Sequence, residues 1–259
     1  MNDQIFAGAV AVVTGGESGI GAACVEALVA SGARTALTYH SDQDAGKAVM
    51  ERCGGPEHAL AVQADVADET AVEALFAAAE RAFGPATLLV NSAGVNMSGT
   101  RLVDMELAQF DRVVRTDLYG PFLTCRRFAR ALVGSRKGGR IVNISSIHED
   151  APRAGGADYD SAKGGLAQLT ATLALELAPQ GIAVNGVAPG MILTPMNERA
   201  MEDEAFRRTR EAHIPWGRAG RAEEVAGLVS FLLSPAADYI TGATVTIDGA
   251  LSLVIAPGA

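Results

Sequence analysis

Lysine is scarce in this chain, 3 of 259 residues against 18 arginines. Aromatic residues are scarce too: 8 Phe, 4 Tyr and 1 Trp make up 5%. Cysteine occurs three times, at Cys24, Cys53 and Cys125, an odd count without Cys-x-x-Cys spacing. That excludes a disulfide or zinc framework and reads as small apolar residues in a reducing compartment. No apolar run reaches the ~18–20 residues of a membrane span. The start, Met1-Asn2-Asp3-Gln4, lacks the basic and apolar parts of a signal peptide. Basic runs stop at two residues and the net charge is −9, so a phosphate backbone is repelled and nucleic acid is not an expected partner. The expectation is a cytoplasmic protein with no membrane partner.

Small and apolar residues are what the chain has in quantity, with 29 Gly and 49% hydrophobic residues. A chain of this length hides roughly three quarters of its unfolded surface. Short apolar runs alternate with helical stretches. Strands are expected at 9–14, 34–39, 58–64, 87–91, 140–145, 182–187 and 244–247, and helices at 19–31, 45–53, 69–83, 105–133, 159–178, 197–212 and 222–233. The strands are apolar throughout rather than alternating, as in parallel strands covered on both faces. The pattern implies an α/β fold: a single-domain, Rossmann-type, doubly wound parallel sheet with helices on both faces. With no linker or composition break, residues 1–259 read as one domain.

Thr14-Gly15-Gly16-Glu17-Ser18-Gly19-Ile20-Gly21 falls where the first strand turns into the first helix. Glycines there let the backbone approach a pyrophosphate, and the helix N-terminus supplies N–H groups and a positive dipole end. Gly15, Ser18, Gly19, Ile20 and Gly21 are therefore candidate dinucleotide contacts. At the end of the second strand an acid would favour NAD and a base NADP. The residues there are Thr38-Tyr39-His40-Ser41, which makes Tyr39 and His40 the candidate ribose contacts. The missing acid leans to NADP, while Glu17 and the absence of an arginine in the loop lean against it. The balance falls slightly to NADP within an NAD(P)(H) cofactor.

With 4 Tyr and 3 Lys, a Tyr-xxx-Lys pair arises by chance only ~0.05 times in this length. One is present, Tyr159-Asp160-Ser161-Ala162-Lys163. Residues four apart share a helix face, and an ammonium near a phenol favours the phenolate. Tyr159 is thus a candidate general acid/base near neutral pH. Ser146 lies thirteen residues earlier, at the carboxyl end of a strand, where α/β sheets bind ligands.

The chain resembles the short-chain dehydrogenase/reductase family over nearly its whole length. The stretches that carry the likeness are 14–21, Asp65-Val66, Asn91-Ser92-Ala93-Gly94, Ser146, Tyr159-xxx-Lys163, Asn185 and Pro189-Gly190-Met191-Ile192-Leu193-Thr194. Within the family it looks most like bacterial glucose 1-dehydrogenases, through Ser145-Ser146-Ile147-His148-Glu149, Ser161-Ala162-Lys163-Gly164-Gly165, Thr194-Pro195-Met196-Asn197 and Ile214-Pro215. The resemblance implies that Tyr159 exchanges a proton with the substrate oxygen, Lys163 assists it and holds the nicotinamide ribose, and Ser146 bonds the reacting oxygen. It assigns Asp65, Val66, Asn91, Ala93, Gly94, Pro189, Gly190, Ile192 and Thr194 to the cofactor. His148 falls on the substrate side, and Asn96 lies near the position of a sugar-binding acid. The implied reaction is reversible oxidation of a secondary alcohol or sugar hydroxyl to a ketone or other carbonyl, in a homotetramer built through the long helices and the last strand. A 3-oxoacyl thioester reductase-like enzyme and a non-catalytic dinucleotide-binding scaffold are the alternatives.

Two departures stand out. Ser92 replaces an Asn of the family pattern, and Asp117 takes the place where the family puts an Asn that anchors a water beside the catalytic lysine. An Asp there adds negative charge near Lys163. It could also serve only to bind a local backbone amide. Trp216, with Met191, Met196 and Met201, is a candidate apolar lid over the substrate. His40, His58 and His213 show no metal spacing, so no metal is expected.

Overall fold

Strand and helix alternate along the chain: β1 (Val10–Thr14), α1 (Gly19–Ala30), β2 (Arg34–Tyr39), α2 (Gln43–Arg52), β3 (Ala59–Gln63), α3 (Glu69–Phe83), β4 (Leu88–Asn91), α4 (Leu107–Val114), α5 (Gly120–Leu132), β5 (Gly139–Ile144), α6 (Ala157–Leu177), β6 (Ile182–Pro189), β7 (Ile192–Leu193), α7 (Glu198–Glu202), α8 (Glu204–Glu211), β8 (Gly220–Arg221), α9 (Ala222–Leu233), β9 (Thr244–Ile247) and α10 (Leu251–Ile255). In this computed structural model, residues 4–97, 99–135 and 137–255 are described. Residues 1–3 of the N-terminal stretch and 256–259 of the apolar tail lie outside them.

Seven parallel strands form one sheet in the order β3-β2-β1-β4-β5-β6-β9. Successive strand residues point to opposite faces, and here both faces are covered. Ala11 and Val13 of β1 and Val90 of β4 enter one core with α1, α2 and α9. Val10 and Val12 of β1 and Leu89 of β4 enter a second core with α3, α5 and α6. Two apolar layers explain why the strands carry no polar alternation.

Local chemistry sets the helix ends. Asp68 accepts from the N–H groups of Thr70 and Ala71 to start α3, and Gly84, at φ 97°, ends it. The buried face of α3, with Val72, Leu75, Phe76, Ala79 and Phe83, follows the helical repeat. Asp203 caps α8 by accepting from Phe206 N–H, which splits the single helix expected over 197–212 into α7 and α8.

The helix expected over 105–133 is also divided. Arg115–Tyr119 form one π turn between α4 and α5. Pro121, two residues into α5, has no N–H for the Asp117 carbonyl, and its ring would crowd that carbonyl in a regular α-helix. A wider turn relieves the crowding. The short β7–β8 pair gives no sequence signal, because two residues show no period. Among the described residues no helix is long and apolar enough to cross a membrane.

All three cysteines are buried and free. Burial pushes the Cys24 and Cys125 thiols up to about 12, and burial with the nearby Glu26 raises Cys53. Near pH 8 an alkylating reagent should therefore label Cys24 and Cys125 only after denaturant opens the cores. Peptide mapping by mass spectrometry checks this, and fast native labelling of either residue contradicts the packing.

Candidate active site

The strand order reverses at β1, which has β2 on one side and β4 on the other. Loops leaving β1 and β4 turn apart there and open a crevice at the carboxyl ends of the strands. It is a groove of about 490 Å³. The loop after β1 forms one lip and is tied to the end of β2: Gly15 N–H donates to Thr38 Oγ1 (2.9 Å) and Gly16 N–H to the Thr38 carbonyl (2.9 Å). A Cβ on Gly15 would lie 2.7 Å from Ala93 Cα, and one on Gly21 would lie 2.0 Å from the Gly15 carbonyl oxygen. Both positions require glycine. Ser18 makes no side-chain cap on α1 and no acid occupies its first turn, so that helix end suits an anion. Bare backbone and an uncapped helix end fit the pyrophosphate of a dinucleotide.

At the inner end of the groove Tyr159 and Lys163 lie one turn apart on α6, both buried. Lys163 Nζ is 5.4 Å from the Tyr159 ring centroid. The ammonium donates to the Ile144 carbonyl at the end of β5 (3.1 Å) and pairs with Asp117 Oδ2 (3.1 Å). Asp117, with no exposed surface, comes from the π turn, and its Oδ1 accepts from Val95 N–H (2.8 Å). Thus Asp117 binds a backbone amide and also contacts the lysine directly. A Cβ on Gly94 would stand 2.9 Å from Asp117 Oδ2, so a glycine is needed above the pair. Burial pulls the Lys163 ammonium down, but Asp117, Tyr159 and Glu149 together outweigh it and hold it above the ordinary lysine value. Burial pushes the Asp117 carboxyl up, and Lys163 and the Val95 amide offset part of that rise.

Neighbouring groups position the phenol. Asp158, fully buried, accepts from Tyr159 N–H (2.8 Å) and from Gln109 Nε2 of α4 (2.8 Å). Ser146 Oγ accepts from His148 N–H (3.2 Å) and faces the groove, so its own proton is left to donate. The His148 ring stands edge-on to Tyr159 at 6.3 Å. Its Nδ1 lies 2.8 Å from the Ala151 carbonyl. A carbonyl only accepts, so Nδ1 carries the proton of the neutral ring. Burial, helped by Arg153, holds His148 below the ordinary histidine value despite the opposing Ala151 bond.

Gly15, Ser18, Gly19, Ile20, His40, Asp65, Val66, Ala93, Gly94, Ser146, Tyr159, Lys163, Pro189, Gly190, Ile192 and Thr194 all line this groove. Others stand elsewhere. The Tyr39 ring is buried against Gly46 of α2. Asn91 lies behind the groove in a polar network with Asn143, Thr124 and Cys125. This amide ties β4 to β5 and α5. Of the residues expected to form a lid, Met196 lines the groove. Trp216 and Met191 instead line a separate cleft with residues 246–250, and Trp216 is 73% exposed. Asn96 accepts from Arg153 (3.3 Å). Arg112 of α4 and Arg115 of the π turn also line the groove, and neither carries a sequence signal.

The family model described as Enoyl-(Acyl carrier protein) reductase matches residues 15–252. The chain is 38% identical over 249 residues to 3beta-hydroxysteroid dehydrogenase 1 of Eggerthella lenta, covering 95% of this chain and 94% of that protein. It is 35% identical over 249 residues to glucose 1-dehydrogenase 2 of Bacillus subtilis, covering 95% of each. A double mutant of a Serratia marcescens short-chain dehydrogenase/reductase superposes with a TM-score of 0.87 at 37% identity, over 95% of this chain and 99% of that one.

Replacing Lys163 by Met should leave the Asp117 carboxylate buried without its cation, at a cost of about 3–5 kcal/mol. The double variant Lys163→Met/Asp117→Asn should recover most of that loss. Urea unfolding at neutral pH measures both. A loss under ~1 kcal/mol in the single variant contradicts a tightly buried ion pair.

Proposed function

The chain belongs to the short-chain dehydrogenase/reductase family and is an oxidoreductase, and on that footing we propose that it interconverts a secondary alcohol or sugar hydroxyl and a carbonyl with Tyr159 as acid/base. The observation that carries this reading is the buried Lys163 ammonium, held by Asp117 and the Ile144 carbonyl beneath the Tyr159 ring at the inner end of the groove. NAD(P)(H), when bound, supplies the hydride chemistry. Ser146 donates to the substrate oxygen while Tyr159 gives it or takes from it a proton. Lys163 offsets the negative charge that develops on the Tyr159 oxygen. Asp158 and Gln109 hold the start of α6, and therefore the phenol, in place. His148 presents a neutral ring beside the reacting centre.

A relative named 3-oxoacyl-[acyl-carrier-protein] reductase, from Synechocystis and 39% identical over 244 residues, favours a second reading, reduction of a 3-oxoacyl thioester on a carrier protein. The net charge of −9 argues against docking an acidic carrier. A homotetramer in a reducing cytoplasm is part of the proposal, supported by apolar residues on the outer faces of α5 and α6, among them Phe122 and Leu175, and by three free cysteines.

A panel of sugars and secondary alcohols, followed by nucleotide absorbance, should identify an oxidised substrate. On that substrate Tyr159→Phe should lose about 10²–10⁴-fold in kcat while still binding nucleotide. Full activity in the variant removes Tyr159 from the chemistry, and no turnover of any substrate by the wild type favours the scaffold.

Asp117 adds a sign to the pH dependence. Its carboxylate helps hold the Lys163 ammonium above the ordinary lysine value. Asp117→Asn removes that support, so the alkaline limb of the pH–rate profile, where Lys163 loses its proton, should move to lower pH. An unchanged profile rejects the coupling.

A further inference from the structure

Glu17 is the residue of the groove that the mechanism leaves unused. It follows Gly16, whose N–H is bonded to the Thr38 carbonyl (2.9 Å), while the Gly15 N–H is bonded to Thr38 Oγ1 (2.9 Å). A Cβ on Gly16 would lie 2.6 Å from Leu37 Cβ, so the loop rests directly on β2. These contacts bring Glu17 to the carboxyl end of β2, where a Rossmann-type sheet receives the adenosine ribose. Glu17, Thr38 and His40 all line the groove. One oxygen of its carboxylate, Oε2, is closed off from water and has no hydrogen-bond partner. Such an oxygen is costly to leave unbonded.

We propose that Glu17 is the nucleotide selector of this enzyme, its carboxylate accepting from the ribose hydroxyls of NAD(H) and repelling the 2′-phosphate of NADP(H). The acid that dinucleotide folds usually carry on β2 itself is delivered here from the neighbouring glycine loop. Among the described residues at the end of β2, the Thr38 hydroxyl accepts from Gly15 N–H, and the Tyr39 ring is packed against α2. Arg115, which also lines the groove, is turned to the Ala67 carbonyl (3.5 Å) and the Tyr119 ring. This reverses the slight lean to NADP drawn from Thr38-Tyr39-His40-Ser41, because the acid reaches the ribose site from outside the strand. The inference rests on the groove being a dinucleotide site.

Isothermal titration of the full chain with NAD⁺ and with NADP⁺, in the absence of substrate, tests it. Wild type should bind NAD⁺ at least about tenfold more tightly. Glu17→Gln, which keeps the volume and removes the charge, should bring the two affinities to within about threefold, chiefly by tightening NADP⁺. Equal affinities in the wild type, a preference for NADP⁺, or a ratio unmoved by Glu17→Gln overturns the role of Glu17 and leaves the oxidoreductase reading intact. Failure of the wild type to bind either nucleotide overturns both.

Discussion

An ammonium without access to water needs its charge met on every side, and Lys163 organises the centre of this molecule through that demand. Its partners come from separate parts of the chain: a carboxylate from the π turn between α4 and α5, a carbonyl from the end of β5, and an aromatic face from its own helix. Each partner is itself committed. Asp117 also binds the loop after β4 through Val95, and Gly94 has room for no side chain above it. The two core layers hold the elements rigidly enough that the charge is met without solvent.

The same arrangement explains an irregular feature of the helices. A regular α-helix through 105–133 would have to place Pro121 against the Asp117 carbonyl. The π turn accommodates the ring, and the widened stretch carries the buried Asp117. The relation between Pro121 and Asp117 is written in the sequence, four residues apart, but its outcome depends on where Lys163 and Val95 stand.

Much of the fold is legible because its signals are local. Continuous apolar strands report two covered faces, and Asp68 and Gly84 mark the ends of α3. The glycine loop is legible for a similar reason, since a turn that admits no Cβ restricts residue type directly. The Tyr159 and Lys163 pair shows itself through helical spacing and the scarcity of both residue types. Elements of two residues, and the break set by Asp203, leave too short a pattern to read.

Side-chain destinations are the less legible part. The family resemblance assigns Asn91 to the cofactor and the place at the end of β2 assigns Tyr39, yet one closes a polar network behind β4 and the other packs on α2. Trp216 turns to a different cleft. Sequence alone determined the sheet class, the glycine cradle and the placing of Tyr159 and Lys163 on one helix face, because each rests on neighbours within one turn or one strand. Tertiary structure decided that Asp117 meets Lys163, that the loop carrying Glu17 is tied to the end of β2, and that Asn91 faces inward. Those outcomes depend on contacts between residues 23 to 52 positions apart, brought within reach only when the strands align.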